Sequence, residues 1–433
     1  MSRILLVKPY WPYPYGKGEH TYNRIWPPLS LANCAAILEK QGDNVEILDA
    51  HALRIKPKDI KSHVKGFDKI FITSSSLDKW QCPNIDIAPF LETVRHIRGL
   101  TDELYVMGYH GTVDIEGILN KTQAKAVIRG TPEYIVADIC QNKDLSEIEG
   151  VSFCSNGKIV SNPDGGNFDL KNLPVPAFHL LDAKRYSYEI LGKDFAIFEM
   201  GRGCNYGCKF CNKIMYGARL RTKSKEQVCE ELRFAIEECG VTTGYFMDLE
   251  FLAYKGLVRD VCDFLIVKKY HFTWCCQTRA DSLDRETLNK MKKAGCKLIH
   301  IGAESGVQKL LDLVGKNTTE QKLVEGIEMC KDAGIKTLAF FLFGFMGETA
   351  TDREAIFQFA KKLDTNFVSF HKVYPYEHSD VYLPNINSNK EIDTYIRKIY
   401  FKYYLRFSYL RKENIGVLFR GIKLFLGRLI TLS

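Results

Sequence analysis

Short, mostly apolar strand-like runs alternate with helical patterns in two separate series along this chain, and residues 141–195 between them lack that rhythm. The first series comprises residues 4–7, 45–48, 69–72, 104–107 and 126–128, with helical apolar spacing over 29–40. A strand buried on both faces needs apolar side chains at every position, which is the demand of a parallel sheet covered by helices. The series therefore predicts an α/β, doubly wound, Rossmann-like domain over 1–140. Ligands of such sheets bind beyond the carboxyl ends of the strands. There the sequence places Ser74, Ser75, Gly108 and Gly130, small enough to admit a large ligand.

Between the series, 151–154 and 158–160 flank Ser155-Asn156-Gly157 and read as a hairpin. Residues 162–177 hold Gly165, Gly166 and three prolines and read as a linker, so 141–195 is expected to connect two domains. The second series has strand-like runs at 196–199, 243–246, 272–275, 298–301, 337–342 and 367–370, with amphipathic helices such as 226–238 and 285–294 between them. Six βα units predict a partial (β/α)6 TIM-type barrel over 196–380, with its site at the strands' C-terminal ends.

One cysteine run follows the first strand of that barrel. Cys204, Cys208 and Cys211 have the spacing C-x3-C-x2-C, with Gly201, Gly203 and Gly207 around them. Thiolates this close can converge on one soft metal centre. Glycines suit a loop that wraps closely around a bulky inorganic group. Structural zinc takes four Cys or His ligands, and no fourth stands near: the closest histidines are His179 and His271. An iron–sulfur cluster with one open iron fits best, with zinc or a chance cluster among 14 cysteines as the alternatives.

Composition narrows the setting. With 45% hydrophobic and 26% charged residues the chain is of globular type, and no apolar run reaches membrane-spanning length. The strand-like run begins almost at Met1, so no targeting segment is expected, and a reducing cytoplasm suits free thiols. Residues 395–433 carry nine Lys/Arg against one acid, so the whole net charge of +8 resides there. This segment, within a helical tail at 381–433, interleaves aromatic and basic residues. It reads either as helices packed on the barrel with a solvated basic face or as a peripheral membrane contact. Nucleic-acid binding is disfavoured, because the bias is confined to one hydrophobic segment.

Further strand ends carry Met247-Asp248-Leu249-Glu250-Phe251, Gln277-Thr278-Arg279-Ala280-Asp281, Gly302-Ala303-Glu304-Ser305-Gly306 and Phe343-Gly344-Phe345-Met346-Gly347-Glu348-Thr349. In this order after a C-x3-C-x2-C run they resemble the radical S-adenosylmethionine enzymes. The resemblance implies a [4Fe-4S] cluster held by Cys204, Cys208 and Cys211, with S-adenosylmethionine on the open iron. It also implies cofactor contacts from Asp248, Glu250, Arg279, Glu304, Ser305 and Gly344. In the N-terminal half, 28–32, Asp49, Ser74-Ser75, Gly108-x-His110-x-Thr112 and Arg129-Gly130-x-x-Glu133 resemble the cobalamin-binding domain of one subfamily. That subfamily includes anaerobic magnesium-protoporphyrin cyclase and several methyltransferases, and the resemblance implies cobalamin near Ser74, Ser75, Gly108 and Gly130. Asp49-Ala50-His51 partly mimics the subfamily's axial-ligand signature without its glycine, and His51 reads as a loop histidine.

The implied activity is C-methylation of an unactivated carbon by a 5′-deoxyadenosyl radical. The same cofactors could serve oxidation, cyclisation or carbon–carbon coupling, and a non-catalytic iron–sulfur binding or redox-sensing protein is the rival of another class. An external one-electron reductant such as flavodoxin or ferredoxin and a small-molecule or lipid substrate are the partners implied. Tyr216, Cys276, His300 and His371 lie where a hydrogen or proton donor could sit, but each reads first as packing. The catalytic residues are not legible.

Overall fold

The computed structural model describes residues 2–11, 25–75, 86–165, 169–215, 217–374, 376, 381–386 and 389–406. Tyr216 and the basic segment from 407 onward lie outside the described residues. The first sheet contains β1 (Arg3–Lys8), β2 (Asn44–Asp49), β3 (Lys69–Thr73), β4 (Leu104–Met107), β5 (Ala126–Ile128), β6 (Val151–Ser155) and β7 (Lys158–Ser161). Its order is β2-β1-β3-β4-β5-β6-β7. β1 to β5 pair in parallel, and β6 and β7 add antiparallel at the edge.

Alternate residues of one strand feed two separate cores, as a pleated sheet requires. Ile4 and Leu6 pack on one face with Leu31, Ala35 and Val136. Leu5 and Val7 pack on the other with Phe90, Val94 and Ile118. Helices Leu29–Gln41 and Glu133–Cys140 cover the first face, and Ala88–Arg98 and Ile115–Thr122 the second. The sheet is therefore doubly wound, as its apolar strands predicted. The hairpin joins it rather than standing apart, because β6 completes the hydrogen bonds of the short β5. Its turn residues Asn156 and Gly157 both have positive φ, 50° and 74°, the backbone a two-residue turn needs to keep the strand twist.

A small hairpin, β8 (Ser187–Tyr188) with β9 (Gly192–Lys193), precedes the second series. That series begins with β10 (Phe195–Phe198) and is interrupted by the antiparallel pair β11 (Gly201–Arg202) and β12 (Arg221–Thr222). It continues through β13 (Thr243–Phe246), β14 (Thr273–Thr278), β15 (Cys296–Glu304), β16 (Lys336–Phe343) and β17 (Phe367–Lys372). The six strands β10, β13, β14, β15, β16 and β17 form one sheet in chain order. The chain gathers into two compact units: 1–204 with 213–248 and 267–274, and 205–212 with 249–266 and the chain from 275.

Within the second unit, the free edge of β17 meets helix Lys390–Tyr404. Tyr404 Oη accepts from Val368 N and donates to Val368 O, both at 3.0 Å. Tyr400 Oη does the same at Phe370, accepting at 2.8 Å and donating at 3.2 Å. Two phenols one helical turn apart thus satisfy alternate residues of an open strand edge. This part of the tail is packed on the sheet. No helix among the described residues is long and apolar enough to cross a membrane.

Candidate functional site

In the first unit, β10 ends at Phe198 and leads through Glu199 and β11 to Cys204. Asp248, just beyond β13, accepts from Gly201 N at 2.7 Å and from Met200 N at 3.0 Å. Its carboxylate therefore pins the backbone that enters the cysteine run. Gly203 has φ +91°, and a Cβ there would fall 2.0 Å from Arg219 O. Only glycine permits so close an approach in that conformation. Cys204 itself is buried.

In the second unit, Lys209 N donates to Val314 O at 2.9 Å, and a Cβ on Gly315 would meet Gly207 O at 3.0 Å. The loop carrying Cys208 is thus held against the segment after helix Gln308–Leu313. Arg279, at the end of β14, aims Nη1 at Cys208 Sγ, 3.8 Å away. Its fork is fixed by Asp281, with Nε and Nη2 donating at 2.8 and 2.7 Å, and by Lys316 O. Tyr206 lies under the guanidinium, 4.1 Å from ring centroid to carbon. Glu250 accepts from Thr278 Oγ1 and, at 2.8 Å, from Arg279 N, while burial pushes its carboxyl up from the usual range.

Glu304 closes β15 with φ +60°, a left-handed conformation uncommon for a residue with a side chain. Its Oε1 accepts from the buried Lys316 Nζ at 2.9 Å. Burial opposes the Lys316 charge, but Glu304 and Cys208 outweigh it and hold the ammonium above its ordinary range. Ser305 is buried and its Oγ accepts from Val307 N at 3.0 Å. Gly344, with φ +101°, donates its N–H to Glu348 Oε2 at 2.8 Å, so a buried glutamate holds the turn after β16.

The N-terminal candidates form a second group. Ser74 Oγ accepts from His110 N at 3.2 Å and lies 3.1 Å from His110 Nδ1. Gly108 has φ +100°, and a Cβ there would stand 3.1 Å from both Ser74 Oγ and Thr73 Oγ1. Thr112 Oγ1 donates to Gly108 O at 3.0 Å and accepts from Gly130 N at 2.9 Å, which links the two glycines. Gly130 faces open space. Ser75 is buried, and the buried Thr73 Oγ1 has no hydrogen-bond partner among the described residues.

His51 lies in the turn after β2, as its loop reading expected, yet it is buried to 1% exposure. Neither ring nitrogen has a hydrogen-bond partner among the described residues, and burial together with Lys8 pushes its pKa down to about 2. Cys276 and His300 are buried within strands, whereas His371 is exposed beside Ser369.

Two residues escaped the sequence reading: Lys316, which contacts Glu304 across a short helix between two loops, and Arg202, a buried arginine inside the cysteine run. Neither lies on a periodic face that would have flagged it. No disulfide joins any of the thirteen described cysteines. No three His, Cys, Asp or Glu side chains among the described residues are gathered around a point for a single metal ion.

The profile of the radical SAM superfamily matches residues 198–360. An uncharacterized methyltransferase of Pyrococcus horikoshii is 26% identical over 425 residues, covering 89% of this chain and 90% of that protein. The anaerobic magnesium-protoporphyrin IX monomethyl ester cyclase of Rubrivivax gelatinosus is 24% identical over 396 residues, covering 88% of this chain and 69% of the cyclase. Among solved structures, the radical S-adenosylmethionine methyltransferase TsrM of Kitasatospora setae, with cobalamin and a [4Fe-4S] cluster bound, gives a TM-score of 0.68 at 18% identity, over 86% of this chain and 72% of TsrM. The cobalamin-dependent S-adenosylmethionine radical enzyme OxsB gives 0.68 at 18% identity, over 91% of this chain and 56% of OxsB. At such identities the two structures establish the fold. The superfamily profile lies over the strand ends described above and assigns residues 198–360 to a radical S-adenosylmethionine domain.

Proposed function

We propose that this chain is a cobalamin-dependent radical S-adenosylmethionine C-methyltransferase. The observation that carries the reading is the group Cys208–Arg279–Lys316–Glu304, which sets two buried cations against one thiol of the cysteine run. The Cys208 thiol beside fixed positive charge fits an anionic, thiolate-held cluster. We assign Cys204, Cys208 and Cys211 to a [4Fe-4S] cluster. Asp248, Glu250, Arg279, Glu304, Ser305 and Gly344 are assigned to S-adenosylmethionine. Ser74, Ser75, Gly108 and Gly130 are assigned to cobalamin: the missing Cβ of Gly108, the open face of Gly130 and the unpartnered Thr73 hydroxyl fit a large ligand with polar groups. When bound, these cofactors supply one-electron cleavage of a sulfonium and transfer of a methyl group to carbon.

The chain's own residues hold and screen. Asp248 fixes the backbone entering the run, Arg279 is oriented by Asp281 toward Cys208, and Lys316 orients Glu304. These positions are set before any ligand arrives, which lowers the reorganisation that binding requires. We place domain limits at 1–140, 141–195 (a connector whose hairpin β6–β7 extends the first sheet), 196–380 and 381–433, in a cytoplasmic protein that takes a small-molecule or lipid substrate and an external one-electron reductant. The basic composition of the tail supports a peripheral membrane contact. The cyclase relative favours a second reading, the same cofactors used for oxidative ring closure.

The test is anaerobic reconstitution, reduction and incubation with methyl-labelled S-adenosylmethionine and candidate substrates. Methylation releases 5′-deoxyadenosine and S-adenosylhomocysteine together and labels the product, whereas ring closure releases the former alone. Cleavage retained by Cys208→Ala sinks both readings.

A further inference from the structure

Two residues before Cys204 stands an arginine that does not face solvent. Arg202 is 2% exposed, and its guanidinium is enclosed by two carboxylates that are themselves buried, Glu133 and Glu199. Nε donates to Glu199 Oε2 at 3.1 Å and Nη2 to Glu199 Oε1 at 2.7 Å. Nη1 donates to Glu133 Oε2 at 3.2 Å, and Nη2 reaches Glu133 Oε1 as well. Asn33 Nδ2 bridges the carboxylates, 3.2 Å from Glu133 Oε1 and 3.2 Å from Glu199 Oε1. Arg221 stands opposite Arg202 in the β11–β12 pair and is drawn electrostatically to both glutamates, so the charges balance.

The members come from distant parts of one compact unit. Asn33 lies on helix Leu29–Gln41, Glu133 begins helix Glu133–Cys140, Glu199 follows β10, and Arg202 belongs to β11. A buried ion pair adds little net stability compared with apolar packing of the same volume, so what it contributes is geometry: a fork that fits in one orientation only. Immediately after the fork, Gly203 has no room for a side chain against Arg219 O. The backbone leading into that glycine is fixed, and Cys204 is the next residue.

We infer that Arg202, gripped by Glu133 and Glu199, is a positioning residue for Cys204, and that through Glu133 the N-terminal sheet sets the direction in which this cysteine is presented. The inference rests on the cluster reading proposed above. Glu133 acts on Cys204 through the arginine, while Gly130, three residues earlier, lies in the loop assigned to the second cofactor.

The test uses the full chain, with Glu133→Gln, which keeps shape but not charge, and Arg202→Lys, which keeps charge but not the fork. Asp49→Asn, which weakens the buried Lys8–Asp49 pair of the same unit, is the control for general destabilisation. In cofactor-free protein, alkylation of each cysteine is timed by peptide mass spectrometry. Cys204 is expected to react about tenfold faster in both variants, while Cys140, buried on the helix that Glu133 begins, keeps its wild-type rate. After anaerobic reconstitution, the reduced-cluster EPR signal of both variants is expected to fall about twofold or more and to change its g anisotropy. Glu133→Asp restores part of the signal, and Asp49→Asn leaves it unchanged. Parallel acceleration at Cys140 and Cys204, or a wild-type signal in both variants, overturns the inference. Wild-type protein that takes up no cluster overturns the reading beneath it, while the alkylation result still decides whether Arg202 positions Cys204.

Discussion

His51 makes the protein's stability depend on pH in a way that can be worked out in advance. The ring is buried, neither nitrogen is hydrogen-bonded to a described residue, and burial with Lys8 lowers its pKa from 6.5 to about 2. In the folded state it stays neutral through the whole moderately acid range, whereas the unfolded chain protonates it near 6.5. A folded pKa below the unfolded one means stability that is complete above pH 6.5 and is lost as pH falls toward 2. At pH 5 the unfolded histidine is mostly protonated, so the loss from this residue is about 2 kcal/mol relative to pH 8. His51→Phe removes the titration and also the unpartnered polar atoms, whose burial costs about 1–3 kcal/mol. The variant should equal or exceed wild-type stability at pH 8, and its advantage should grow by about 2 kcal/mol at pH 5. Urea unfolding at both values, followed by near-ultraviolet circular dichroism, measures the difference, and carboxylate titrations common to both proteins cancel. Carbon-13 histidine spectra identify the ring by its absence from the variant. A His51 resonance that titrates near 6.5, or equal pH dependence of the two proteins, refutes the argument.

Three other perturbations have expected outcomes. Tyr400→Phe with Tyr404→Phe removes the phenols that cap β17 and should destabilise the second unit by about 2–4 kcal/mol. It should also promote concentration-dependent association in sedimentation velocity, because an open strand edge recruits another chain. Gly203→Ala places a Cβ 2.0 Å from Arg219 O in a left-handed backbone; the expected result is a displaced hairpin, seen as faster amide exchange at Arg221 and Thr222 with the first sheet's exchange unchanged. Lys316→Met leaves Glu304 as a buried carboxylate without its ammonium, with a loss of about 3–5 kcal/mol in denaturant unfolding that Glu304→Gln in the same chain should partly reverse.

The strands were legible because burial on both faces writes itself as an unbroken apolar run. Residues 4–7 divide by parity, Ile4 and Leu6 into one core and Leu5 and Val7 into the other, and no polar residue could occupy either set. The cysteine run and the strand-end motifs were legible for a different reason: chemistry concentrates them in a few adjacent residues after each strand. The ion-pair partners were not. Arg202 meets Glu133 across 69 residues, and Lys316 meets Glu304 across twelve that hold a short helix between two loops. Neither separation follows a helical or strand period, so no local pattern can encode it.

The tail shows how one local pattern can serve two ends. Aromatic residues at helical spacing among Lys and Arg suit an interface with lipid, and they suit equally a helix that packs on protein. Composition is the same in both cases; what differs is whether the phenol meets a polar partner at fixed distance. Tyr400 and Tyr404 meet backbone groups of Phe370 and Val368, and Tyr403 donates to Thr365 O at 3.0 Å. For this helix the decisive information lies in β17, some thirty residues earlier, whose unpaired edge presents N–H and C=O groups at the spacing the tyrosines reach. A sheet edge creates the demand, and the helix sequence alone reveals only that it could be met.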